Sequence, residues 1–138
     1  MTAEQIGTRF GIAPRNHSGL VEYAIGEFET THYDELVDKL RFFERIEADL
    51  NYAPAGGESV VGVARRMLDT INEFKAQHKG QTLAVVSHGA AIGVTLSQLL
   101  HDKPFPFHDY HMNNTAISKL LLTESGVDLE FFNRFDHL

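Results

Sequence analysis

The run Thr82-Leu83-Ala84-Val85-Val86-Ser87 is short, apolar and rich in β-branched residues, and His88-Gly89 follows it without a gap. Such a run reads as a strand buried on both faces. Beyond it, over residues 90–101, Ile92, Leu96, Leu99 and Leu100 recur at helical spacing. Strand, tight turn and helix in that order make half of a βαβ unit, which predicts an α/β fold.

The rest of the chain agrees with this class. Ile6 and Phe10 lie one turn apart in residues 2–10, and Gly11 followed by Pro14 is a stop signal, so a helix is expected there. Residues 18–28 have no clear period and predict a loop containing a short extended piece, Gly19-Leu20-Val21, which leads into Glu22. Over residues 33–50, Leu36, Val37, Leu40, Phe43 and Ile46 predict one amphipathic helix with Asp34 and Glu35 in its first turn. Pro54 and Gly56-Gly57 mark a loop; Glu58-Ser59 then opens a second helix reaching about His78, with Val60, Ala64, Met67, Leu68, Ile71 and Phe74 on one stripe and Gly80 as its stop. Residues 115–122 and 129–135 predict two strands around the Ser125-Gly126 turn.

Charge and composition remove several functions. Twelve Lys plus Arg against nineteen Asp plus Glu give a net charge of -7, which repels nucleic-acid phosphates and anionic lipid headgroups. No cysteine is present, so a disulfide scaffold and a thiolate metal site are excluded. The first residues have neither the basic start nor the apolar core of a signal peptide, and even residues 89–100 are interrupted by Thr95, Ser97 and Gln98. A single domain over residues 1–138, cytoplasmic and without nucleic-acid or membrane partners, is the expectation.

Chemistry centres on Val86-Ser87-His88-Gly89-Ala90. An imidazole there stands at the end of a strand beside a helix N-terminus, where unpaired N-H groups and the helix dipole favour a phosphate and Gly89 lets the backbone approach it. A histidine satisfied within the turn is the alternative. Glu22 follows an apolar piece, and a carboxyl against apolar surface holds its proton long enough to act as a general acid; a solvated loop glutamate has the same sequence signature. Glu58 complements the dipole of the helix it precedes and could orient a neighbouring cation, although capping explains it equally well.

Several of these segments converge on one family. Pro54-Ala55-Gly56-Gly57-Glu58-Ser59, Val85-Val86-Ser87-His88-Gly89 and Asn113-Asn114-Thr115-Ala116-Ile117, in that order and separation, resemble the second half of the histidine phosphatase (phosphoglycerate mutase-like) superfamily. Leu20-Val21-Glu22 with Gly26-Glu27-Phe28-Glu29 is similar to its acid-bearing segment, and Thr2-Ala3-Glu4 to the end of an Arg-Ala-x-x-Thr-Ala-Glu motif. The resemblance implies a three-layer fold with a mostly parallel central sheet. It also implies a metal-free, cofactor-free reaction: a histidine attacks a phosphomonoester, a glutamic acid protonates the leaving oxygen, and water then hydrolyses the phosphohistidine. Carried over by motif, His88 is the second, phosphate-binding histidine beside Gly89. Glu22 is the general acid, Glu58 orients the pocket's cations, and Asn114 and Thr115 line the pocket.

The departures from the family pattern matter as much. Its Arg-His-Gly motif, which carries the nucleophile, is absent, since arginine precedes none of the eight histidines. The expectation is therefore a domain truncated at its N-terminus, lacking that motif's strand and inactive or impaired. It would bind a small phosphomonoester or an anion, or act as a non-catalytic relative, and associate with a second copy through exposed sheet edges. His17, near Arg15 and Asn16, is the one candidate for a substitute nucleophile, and a flexible loop rarely sets attack geometry; His111 reads as a pocket wall. A metal-dependent hydrolase using His101, Asp102, His108, Asp109 and His111 is a weaker reading, because their spacing matches no justified site. Arg65-Arg66 and Arg41 with Arg45 read as solvated helix faces.

Overall fold

A computed structural model describes residues 2–137. The elements in order are α1 (Thr2–Phe10), α2 (Tyr33–Asp38), α3 (Phe42–Ala48), α4 (Val60–Gln77), α5 (Gly89–His101), β1 (Ile117–Leu122) and β2 (Val127–Arg134), with 3-10 turns at Ser18–Leu20, Gly26–Phe28 and Phe107–Tyr110. The α/β character holds.

The core is built on α4 and α5. Val60, Val63, Ala64 and Met67 recur at helical spacing on α4, and they are buried with Ala91, Val94 and Leu96 of α5. Each fully buried Val, Leu or Met among them contributes about 1.5–3 kcal/mol. Ser59 caps α4 by accepting from Gly62 N at 3.1 Å, an interaction worth about 1 kcal/mol. Tyr23, Phe42 and Phe107 close the core from the loops and α3, with Tyr23 and Phe107 edge-on at 6.4 Å.

The single helix expected over residues 33–50 is broken. Arg41 takes a left-handed backbone at φ 49, and α2 and α3 lie on either side of it. The break serves packing. In one continuous helix Phe42 would sit far round from Leu36, whereas here Leu36, Phe42 and Ile46 are all buried, and Phe42 reaches Phe28 at 5.9 Å between ring centres. Tertiary burial has overridden a regular local period. The extended piece expected at Gly19-Leu20-Val21 is also corrected: Ser18–Leu20 is a 3-10 turn whose Gly19 amide donates to the His17 ring.

The two C-terminal strands pair as expected, antiparallel, with Leu122 opposite Val127 and Leu120 opposite Leu129. They form the one sheet among the described residues. The mostly parallel central sheet is therefore not found among the described residues, and residues 82–87 are neither a strand nor buried on two faces: they join no ladder, and Leu83, Val85 and Val86 are exposed. A strand exists only through a neighbour that accepts and donates its ladder bonds, and no strand flanks this segment among the described residues.

Candidate functional site

His88 is the N-cap of α5, with extended backbone at φ -125 and ψ 165. Its ring is exposed and is not used to cap the helix. Apart from its chain neighbours and the backbone of α5 itself, nothing among the described residues lies within 4 Å of where a Cβ on Gly89 would project, so the backbone at the helix start is open to an approaching group. The amides beyond it already hold an anion supplied by the chain. Ala91 N donates to Glu22 Oε1 at 2.8 Å and Ala90 N to Glu22 Oε2 at 3.3 Å, while Tyr23 N also donates to Oε1 at 2.8 Å. Glu22 is thus brought beside His88 and Gly89 from 66 or more residues away in sequence. It is exposed, not set against apolar surface as expected.

What holds Glu22 there is an arginine expected on a solvated helix face. Arg66, on α4, is not a solvated cation: Nε donates to Glu58 Oε1 at 2.7 Å and Nη2 to Glu58 Oε2 at 2.8 Å. Its Nη1 donates to the carbonyls of Gly19 at 3.0 Å and Val21 at 2.9 Å, and Nη2 also donates to that of Glu22 at 3.0 Å. Glu58 is thus paired through both carboxylate oxygens with Arg66. The fork-to-fork pairing, first among the causes, lowers the carboxyl pKa of Glu58 below the usual glutamate value. A signal for this was present in the sequence, since Arg66 follows Glu58 by about two helical turns.

Backbone pairing reinforces the seat. Glu58 N donates to Ala24 O at 2.8 Å, Ala24 N to Glu58 Oε2 at 3.2 Å, and Glu27 N to Ala55 O at 2.9 Å. Gly26 permits this approach, because a Cβ there would lie 2.3 Å from Ala55 O at a φ of +55. Beneath, burial first and then the nearby Glu58 carboxylate push the Tyr23 hydroxyl pKa upward.

Other predicted residues lie apart from this cluster. Asn114 and Thr115 are exposed in the turn before β1, where Thr115 Oγ1 donates to Asn114 O at 2.6 Å. No hydrogen bond among the described residues joins them to His88 or Glu22. His17 is committed structurally: Nδ1 accepts from Gly19 N at 3.1 Å, Nε2 lies 3.4 Å from Glu73, and the ring packs edge-on to Phe74 at 5.3 Å. His101 bonds the Tyr110 hydroxyl, and His108 lies 3.7 Å from Asp109. No group of three or more His, Asp or Glu among the described residues is arranged to hold a metal ion.

His88 at the N-cap of α5, Glu22 seated on the amides just beyond it and Glu58 paired with the Arg66 behind them form one cluster. Residues 1–134 match the Histidine phosphatase superfamily (branch 1), and the chain belongs to that family. The mycobacterial glucosyl-3-phosphoglycerate phosphatase solved with inorganic phosphate is similar at 27% identity and a TM-score of 0.79, covering 96% of this chain and 70% of that one. Two structures below 25% identity share the fold. A phosphoserine phosphatase variant from Entamoeba histolytica with phosphoserine has a TM-score of 0.81 at 22% identity, covering 96% of this chain and 68% of that one. The alpha-ribazole phosphatase from Shigella flexneri has 0.77 at 16%, covering 96% and 67%. No curated protein matches the chain by sequence. No helix among the described residues is long and apolar enough to cross a membrane.

Proposed function

We propose that the chain carries the acid-and-anion side of a phosphomonoester hydrolase site of the phosphohistidine type. The carrying observation is the convergence of Glu22 with His88 at the start of α5. In this reading His88 and the amides of Gly89, Ala90 and Ala91 hold the equatorial phosphate oxygens, where preorganised donors stabilise the charge of phosphoryl transfer. Given a histidine nucleophile to take the phosphoryl group, which this chain does not supply, Glu22, released from those amides and protonated, is placed to give its proton to the leaving oxygen. Glu58 acts through Arg66. Asn114 and Thr115 line the rim for the ester's organic part.

None of the 138 residues supplies an Arg-His-Gly nucleophile, so the chain alone binds small phosphomonoesters or phosphate without turning them over. That absence also favours the second reading, a non-catalytic anion-binding relative. The site needs no cofactor, and the setting is cytoplasmic. The free edges and exposed apolar side chains of residues 82–87 extend the proposal to a homo-oligomer in which a strand from a second copy begins the parallel sheet; a monomer by light scattering at high concentration removes that part.

Turnover of a generic aryl phosphate by the purified chain and by His88→Ala tests the main reading. The expected result is no hydrolysis above background by either, from folded protein. Hydrolysis by the chain that His88→Ala abolishes would place a nucleophile within these residues and contradict it.

A further inference from the structure

We infer that Arg66 is the positioning residue for Glu22, acting through the backbone of residues 19–22 without touching α5; the inference rests on the function proposed above. A guanidinium has five N-H donors, and Arg66 spends its bonds on Glu58 and three carbonyls drawn from four consecutive residues, Gly19, Val21 and Glu22. The fourth carbonyl, that of Leu20, accepts from Ser87 Oγ at 2.8 Å. Every carbonyl from Gly19 to Glu22 is therefore held by a side chain, in a segment with no strand or α-helix of its own.

The amide side is tied as well. Gly19 N donates to His17 Nδ1, Leu20 N donates to His17 O at 3.1 Å, and Tyr23 N donates to the carboxylate of Glu22 itself. Such a segment has nowhere to move without breaking bonds to α4 or to Ser87, which immediately precedes His88. The two ends of the site are thus fixed to one another: Ser87 and Arg66 grip the same loop, and the loop delivers Glu22 to the amides after His88. Glu58 adds a second restraint, since Oε2 takes both Arg66 Nη2 and Ala24 N, two residues beyond Glu22. Lysine has three donors on a single point and cannot reproduce a planar fork across three carbonyls and a carboxylate. Arg66→Lys keeps the charge and removes the geometry.

The consequence reads out on phosphate. Glu22 and an incoming phosphate compete for the same amides of Ala90 and Ala91, so a Glu22 that is no longer held there leaves them free. Inorganic phosphate is titrated into the full chain, Glu22→Gln, Arg66→Lys and the double variant, with the Ala90 and Ala91 amide resonances followed by NMR. Glu22→Gln and Arg66→Lys should each move the Ala91 resonance in the same sense before phosphate is added and raise phosphate affinity about threefold or more, a gain of about 0.6 kcal/mol. The double variant should bind no tighter than Glu22→Gln, because the effect of Arg66 passes through Glu22. A purely structural Arg66 gives a different pattern: Arg66→Lys lowers the melting temperature, leaves the Ala91 resonance in place and adds its effect to Glu22→Gln in full. That pattern overturns the inference. If Arg66→Lys does not fold, Glu58→Gln takes its place, with the same signs and smaller shifts expected. An Ala91 resonance unmoved by Glu22→Gln itself would instead sink the underlying reading, that Glu22 sits on α5.

Discussion

Replacing Gly19 by alanine should unseat the acid-bearing loop, and the cost can be worked from its surroundings. A Cβ at Gly19 would stand 1.9 Å from Thr70 Oγ1, 3.1 Å from Thr70 Cβ and 3.1 Å from His17 Nδ1. Thr70 cannot turn aside freely, because Oγ1 donates to Arg66 O one turn back at 2.8 Å. The methyl group must therefore push the loop off α4. Overpacking of this kind costs about 1–3 kcal/mol, and stretching the bond from Arg66 to Gly19 O adds about 1 kcal/mol. A total of about 2–4 kcal/mol lowers the melting temperature of a domain this size by roughly 6–16 °C. The cause is separable: Thr70→Ala removes the nearest atom, so Gly19→Ala in that background should recover about 1–2 kcal/mol as a coupling energy. Urea unfolding of the four proteins, followed by circular dichroism, measures the cycle. Wild-type stability for Gly19→Ala, or strict additivity in the double variant, would refute the reasoning.

Two further outcomes follow from the same neighbourhood. Tyr23 is 5% exposed and its hydroxyl has no hydrogen-bond partner among the described residues, so Tyr23→Phe should raise the stability by about 1 kcal/mol; a loss in urea unfolding would show that the hydroxyl is satisfied in solution. Arg66 holds the Glu58 pKa below its unfolded value, so the stability this gives is present above the ordinary glutamate range and is lost as the pH falls through the folded value. Glu58→Gln removes that dependence. The stability gap between the two proteins should shrink as acid is added, and a gap that stays constant from neutral pH to pH ~3 would contradict the linkage.

Much of the site could be read from residue order, and what could not has identifiable causes. His88-Gly89 at the start of α5, the opening of α4 at Glu58-Ser59 and the hairpin around Ser125-Gly126 depend on local rules, and each is found where those rules put it. The break at Arg41 was hidden because it answers to the burial of Phe42 among Tyr23 and Phe28, neighbours distant along the chain. Residues 82–87 carry the composition of a central strand but lack partners, and a strand, unlike a helix, cannot satisfy its own backbone. Arg66 escapes local rules for a related reason: its place on a charged helix suggests solvent, while the carbonyls that bind it belong to a loop more than 40 residues earlier.

The central claim is that the start of α5, with His88 beside Glu22, is an anion site for phosphate. Inorganic phosphate titrated into the purified chain, with all backbone amides followed by NMR, tests it most directly. The account predicts saturable shifts concentrated at His88, Gly89, Ala90 and Ala91, with affinity falling about tenfold in His88→Ala, as for one lost charge-assisted bond. Shifts centred elsewhere, or an affinity that His88→Ala leaves unchanged, would contradict it.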